Sequence, residues 1–248
     1  MEYINSQIVG NTLEISFFND KANSFTTNML NDLQLVLEQA KSQSNIKSIL
    51  IRSDNPKLFS AGASFDEMLA IDKIDKAIQF FSGFAMVIKS MIYNTKLIVT
   101  VVEGKSIGGS VGLVAASDYV IASPKAEFRL SEFAVGIGPF VIAPVIEKKI
   151  GKGPLMEMTI DTNYKSAEWA NNRNLVNIVT ENPSPIDYAR SLCNQINQRS
   201  FNAMLEIKSM FWEWNRWDTD IFTERAQISA KLLLTDETKE FLKAFKNK

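Results

Sequence analysis

Strand-like runs at Ile46 to Ile51 and Leu97 to Val102 alternate with segments whose apolar residues recur at helical spacing. That alternation restricts the chain to an α/β architecture. One helical segment carries Met29, Leu30, Leu33, Val36 and Leu37 behind a cap at Thr26 or Thr27, and another, Phe80 to Ile92, carries Phe81, Phe84, Ala85 and Ile88 on one face. Ahead of both, Ser6 to Phe17 alternates polar with apolar residues around Gly10-Asn11, the pattern of a hairpin. Gly108-Gly109 opens a small-residue helix, and Asp118 to Ala122 and Glu127 to Leu130 read as two further strands. From about Ile142 the signal is almost wholly helical, with Asn182-Pro183-Ser184-Pro185 as a linker and helical stretches at 186 to 198, 201 to 215, 218 to 233 and 236 to 245.

Composition narrows the chemistry. Lys+Arg number 27 against 28 Asp+Glu, a net charge of −1, so no basic field is present to attract nucleic acid. Hydrophobic residues make up 46% of the 248, enough for one large domain, or one with a small appendage. Histidine is absent and Cys193 is the single cysteine, which removes histidine bases, Ser-His-Asp and Cys-His nucleophiles, disulfides and Cys/His zinc sites. Catalysis must come from carboxylates, backbone amides, lysines or hydroxyls. The start Met1-Glu2-Tyr3-Ile4-Asn5 lacks a basic, apolar leader, which predicts a cytoplasmic location. The apolar high points at 97–102 and 111–122 fall short of the roughly 20 residues that cross a bilayer, so no membrane span is predicted.

Three segments could carry chemistry. Phe59-Ser60-Ala61-Gly62-Ala63-Ser64 and Gly104 to Ser110 each follow a buried strand and lead into a helix through small residues, which exposes bare backbone N–H groups. Two such turns can aim two amides at one oxygen, although close helix packing alone would also select small residues. Neither turn has the spacing of a phosphate loop or a dinucleotide site. In the third segment, Phe128-Arg129-Leu130-Ser131-Glu132, strand parity turns Phe128, Leu130 and Glu132 inward. Glu132 is then either a helix-start carboxylate behind Ser131 or a desolvated acid/base.

With Asn23-Ser24-Phe25, Glu67-Met68, Ala116-Ser117-Asp118, Gly136-Ile137-Gly138-Pro139 and Thr235 to Glu240, these motifs fall in an order that resembles the crotonase (enoyl-CoA hydratase/isomerase) superfamily over nearly the whole chain. The resemblance implies an α/β fold of repeated ββα turns forming a superhelix with the acyl-thioester site over 1–185, and a helical C-terminal trimerisation region over 186–248. It implies an acyl-CoA or acyl-carrier-protein thioester as substrate, CoA being part of that substrate with no separate cofactor and no metal, and a homotrimer or dimer of trimers. Carried over to this chain, the amides of Ala63 and Gly109 hold the thioester oxygen and Glu132 is the catalytic acid/base. Ala61, Ser64, Gly108, Gly112, Pro139 and Phe140 are the expected substrate-binding positions.

Two departures shape the expected activity. The slot that holds another carboxylate in two-glutamate hydratases is Gly112, and a position that is commonly aspartate is Ser64. A single-glutamate member is expected: a hydratase or dehydratase of a branched or carboxylated enoyl thioester, alternatively a Δ3,Δ2-enoyl-CoA isomerase, or else a catalytically silent CoA-ester-binding protein. Asp66 and Glu67 are reserve candidates for the base. Phe211, Trp214 and Trp217 share a helical face that suits a core or subunit interface, or an acyl-pocket wall. Cys193 reads as a packed small hydrophobe. Lys57, Lys246 and Lys248 sit where the family often contacts CoA phosphates, and surface lysines are equally ordinary there.

Overall fold

A computed structural model describes residues 1–214 and 220–246. The predicted hairpin is present: β1 (Glu2–Val9) pairs antiparallel with β2 (Thr12–Asn19). Helix α1 (Thr27–Ser42) starts behind Thr26, whose hydroxyl accepts from the Met29 amide at 3.2 Å, and buries Met29, Leu30, Leu33 and Leu37. Next come β3 (Ser48–Ser53), β4 (Leu58–Ser60), α2 (Phe65–Ala70) and α3 (Ile74–Ile92). Helix α3 begins before the expected Phe80, because its first turns are mostly exposed and carry little apolar periodicity.

The middle of the chain holds β5 (Leu97–Val102), β6 (Lys105–Ile107), α4 (Gly109–Ala115), β7 (Tyr119–Ala122), β8 (Glu127–Arg129) and a 3-10 turn at Phe133–Val135. Helices α5 (Ala143–Ile150) and α6 (Lys152–Ile160) follow, then β9 (Lys165–Ser166), α7 (Ala167–Asn172) and β10 (Ile178–Val179). The last elements are α8 (Pro185–Asn197), α9 (Phe201–Trp212), α10 (Asp220–Leu233) and α11 (Asp236–Lys246). The expectation of an almost purely helical second half is corrected by β9 and β10. At two residues each, they have no room for a strand period.

Each strand pair β3/β4, β5/β6 and β7/β8 gives its first member to a six-stranded sheet, ordered β1-β2-β3-β5-β7-β10, and its second to a four-stranded sheet, ordered β4-β6-β8-β9. Within each sheet these successive members run parallel, so every repeat advances the chain by one strand in both sheets and winds a ββα superhelix. The central parallel strands of the larger sheet, β3, β5 and β7, are buried on both faces, as covered parallel strands must be. Ile49, Ile51, Ile98 and Val102 join α1 and α3 in the main core, whereas Leu50, Val99, Val101 and Ile121 pack under α8 with Ala189 and Cys193. Burial pushes the Cys193 thiol up to about 11, which leaves it a packing group.

Two polar ties, one on a buried carboxylate and one on a buried lysine, fasten the late helices to this sheet. Arg190 of α8 makes a bidentate pair with the buried Glu14 of β2 at 2.9 and 2.8 Å, and holds its carboxyl below the usual range. In α9, Lys208 reaches the Asp118 carboxylate at 2.7 Å and the Lys96 carbonyl at 2.8 Å, while Trp212 donates to the other Asp118 oxygen at 2.7 Å. The aromatic face expected at Phe211, Trp214 and Trp217 is therefore replaced. Trp212 is the buried ring, Phe211 is exposed, and Trp214 lies beyond the end of α9 and donates to the Ile92 carbonyl. Trp217 lies outside the described residues. Among the described residues no helix is long and apolar enough to cross a membrane.

Since Lys208 and Asp118 neutralise each other where water is excluded, removing one leaves the other charge buried. Lys208→Met should lower stability by about 3–5 kcal/mol, measured by urea unfolding. A loss below about 1 kcal/mol would show that the pair contributes little to holding α9.

Candidate active site

The two small-residue turns meet side by side. Gly62 adopts φ +86°, and a Cβ on it would lie 2.6 Å from the Ile107 carbonyl oxygen and 3.2 Å from the Gly109 nitrogen, so only glycine allows this approach. Ser110, in the first turn of α4, pins the two turns together: its hydroxyl oxygen accepts from the Ile107 amide at 2.9 Å and lies 3.1 Å from the Ser60 carbonyl. From the other side, the fully buried Asn23 donates to the Phe59 carbonyl at 2.6 Å and to Ser53 at 2.8 Å.

Ala63 is held in a parallel bridge with Phe25. The Phe25 amide donates to the Gly62 carbonyl at 2.7 Å and the Ser64 amide to the Phe25 carbonyl at 2.8 Å, which leaves the Ala63 N–H directed away from the bridge. Gly109 opens α4, where a helix leaves its first N–H groups unpaired. Neither amide has a partner among the described residues, and both residues line one cavity.

Glu132 lines the same cavity. It arrives there by a different route from strand parity, because β8 ends at Arg129 and Glu132 already has helical dihedrals, φ −62° and ψ −40°, at the head of the 3-10 turn. Its side chain makes no cap hydrogen bond, so the helix-start reading does not describe it. Gly108, at φ +57°, lets the carboxylate press against the turn, since a Cβ there would sit 3.1 Å from Glu132 Oε1. Although part of the residue is accessible, Oε2 is buried and has no hydrogen-bond partner among the described residues. Burial pushes the carboxyl up to about 7, against a smaller opposing effect of backbone amides and the Arg129 charge.

Ala61, Gly108 and Pro139 also line the cavity, and Ser64 lines the adjoining vestibule while capping α2. Gly112 and Phe140 stand apart from it. A Cβ at Gly112 would lie 2.3 Å from Ile142 Cγ2, so isoleucine fills the space that any side chain at this position would need. The Phe140 ring lies against Gly138. Both reserve carboxylates are engaged, Glu67 with the Thr27 amide and hydroxyl at 2.9 and 2.7 Å and Asp66 with Lys21 at 2.8 Å. Lys57 is exposed and lines neither space, Lys246 ends α11, and Lys248 lies outside the described residues. The remaining walls are mostly apolar, including Phe65, Met68, Phe81, Val135 and Ile137, with two hydroxyl residues, Ser131 next to Glu132 and Ser229 from α10. Sequence reasoning did not mark Ser229, because nothing local separates it from other polar residues of a late helix.

Comparison with known proteins places these features. The sequence profile of the enoyl-CoA hydratase/isomerase family matches residues 8–248. The chain is 24% identical over 228 residues to the short-chain-enoyl-CoA hydratase of Clostridium acetobutylicum, covering 90% of this chain and 86% of that protein. It is likewise 24% identical over 203 residues to the carnitinyl-CoA dehydratase of Escherichia coli K12, covering 82% and 77%. The crystal structure of an enoyl-CoA hydratase from Bacillus halodurans superposes with a TM-score of 0.89 at 18% identity over 98% of this chain and 99% of that one, which shows a shared fold. A profile match across nearly the full length, on a ββα superhelix, makes the chain a member of the enoyl-CoA hydratase/isomerase family of enzymes.

Proposed function

We propose that the protein acts on an acyl-CoA or acyl-carrier-protein thioester through an enolate, with the Ala63 and Gly109 amides holding the thioester oxygen and Glu132 as the acid/base. The observation that carries this reading is that two unpartnered amides and one desolvated carboxylate border a single apolar cavity. A thioester α-proton becomes removable only when charge on the oxygen is stabilised, and a preorganised donor contributes about 3 kcal/mol to that. A carboxyl that titrates near 7 is well matched to moving such a proton.

The preferred reaction is hydration or dehydration of a branched or carboxylated enoyl thioester. In the dehydration direction, the Glu132 carboxylate takes the Cα proton and the electron pair passes to the thioester oxygen. As the enolate collapses, the Cβ–O bond breaks, and the departing hydroxide takes the proton from Glu132 to leave as water. One carboxyl thus serves both steps. Ile142 over Gly112 supports this single-base arrangement, in which a substrate carboxylate helps position the water. The apolar walls favour one second reading, Δ3,Δ2 isomerisation, in which Glu132 moves the same proton from C2 to C4. CoA belongs to the substrate in either case.

We further propose a homotrimer or dimer of trimers, supported by side chains of Met156 and Ile160 on α6 and Ile207, Met210 and Phe211 on α9 that are exposed in the single chain.

Glu132→Gln should lower turnover by about 10²–10⁴-fold while thioester binding persists. Near-normal turnover in that variant would remove Glu132 as the base. In the native enzyme the rate of α-proton abstraction, followed by deuterium exchange, should rise through about pH 7 and level off above it. The same burial costs stability. An acid whose pKa is raised on folding destabilises the fold as pH climbs from its unfolded to its folded value, so Glu132→Gln should melt above the native protein at pH 8.5, with the gap closing towards pH 4.5. Sedimentation should give a trimer or hexamer mass at micromolar concentration, and a monomer there would overturn the assembly proposal.

A further inference from the structure

One group in the cavity wall has no role in the enolate chemistry. Ser229 lies on α10, is 1% exposed, and lines the cavity that Glu132 borders. A buried serine or threonine within a helix commonly satisfies its hydroxyl on the carbonyl one turn back. Ser117 and Thr159 do so here, bonding the Leu113 and Leu155 carbonyls at 3.0 and 2.8 Å. No such bond is made by Ser229 among the described residues, and its oxygen is not one of the fully buried unpaired atoms, which leaves it at the surface of the cavity it lines. Met68, Phe81, Val135 and Ile137 share the wall and offer no oxygen or nitrogen side chain, the other polar side chains of the lining being those of Ser131 and Glu132, so an apolar chain that fills the cavity would desolvate the Ser229 hydroxyl at a cost.

A hydroxyl in that position is satisfied only by what enters the cavity. A plain hydrocarbon acyl chain would leave it unpaired and shut away from water. A chain that carries an oxygen would pair with it. Because no lysine or arginine among the described residues lines the cavity, the recognition they offer is a hydrogen bond rather than an ion pair.

We propose that Ser229 is a specificity-determining residue whose hydroxyl donates to an acceptor oxygen on the acyl chain, so that the preferred thioester bears a hydroxyl or carboxyl substituent beyond the reacting carbons. This rests on the acyl-thioester reading and deepens it, for it assigns the substituent a partner distinct from the oxyanion amides and from Glu132. A site built to hydrogen-bond a substituent rejects the analogue that lacks it, because the buried group is then left unpaired.

The test uses the full-length protein and three 2-enoyl-CoA esters of equal chain length, one ending in methyl, one in hydroxymethyl and one in carboxylate. Turnover is followed as hydration and as the exchange that reversible hydration in D2O produces, deuterium entering at Cα. The native enzyme should favour an oxygenated ester by at least about 10-fold in kcat/KM, and the better of the two identifies the substituent. Ser229→Ala should cut kcat/KM for that ester by about 10–50-fold and change the methyl ester less than about threefold. Ser229→Thr, which retains the hydroxyl, should keep the preference. Ser229→Cys, a near-isostere with a weak donor, should lose it and carries the same test if the alanine variant unfolds. A native preference for the methyl ester, or an equal fall on all three esters in Ser229→Ala, overturns the assignment. Glu132-dependent exchange without any effect of Ser229 overturns this inference alone, whereas no exchange or turnover with any thioester overturns it together with the proposed function.

Discussion

The close approach of Gly62 to the Ile107 carbonyl is the contact on which the site depends. It brings the turn after β4 against the turn before α4, and so sets two amides from different repeats beside one space. The ββα winding makes the approach possible, since β4 and β6 are neighbours in the smaller sheet. Ser110 and Asn23 then fix it from two sides with hydrogen bonds that never touch the cavity contents. Placing the donors on backbone held by a sheet gives them little freedom to reorganise when charge develops, which is the condition under which oxyanion donors act best.

Against this rigid frame stands one strained electrostatic choice. Glu132 is held with an unpartnered oxygen in an apolar wall, and the same desolvation that makes it a proton carrier near neutral pH opposes its ionisation in the folded chain. Gly108 permits the placement by giving the carboxylate room that a methyl group would occupy. Ile142 finishes the surroundings by closing over Gly112, so the carboxylate works without a neighbour of its own charge there.

Much of this was legible in the residues. The hairpin, the Thr26 cap and the buried strands followed from local patterns, because Gly10-Asn11, Thr26 and the apolar run at 97–102 act within a few residues of themselves. The two small-residue turns and the inward Glu132 were also readable, although the carboxylate turns in through a 3-10 start rather than through strand parity. What the chain hid depends on contacts between distant segments. Nothing near Gly112 announces Ile142, nothing near Ser229 announces the cavity, and the spacing that joined Phe211 to Trp214 and Trp217 took no account of α9 ending at Trp212. Strands β9 and β10 are defined by their partners alone.

The layer formed by α8 has a consequence for synthesis. The face of the large sheet bearing Leu50, Val99, Val101 and Ile121 is covered by a helix that follows in the chain after all of them, and the Arg190–Glu14 tie that seats it joins residues 176 positions apart. A ribosome delivering this protein therefore exposes an apolar sheet for as long as it takes to translate from Ile121 to Cys193, on the order of several seconds at typical rates. During that interval the nascent chain offers chaperones, or other nascent chains, a sticky surface that the finished molecule does not display.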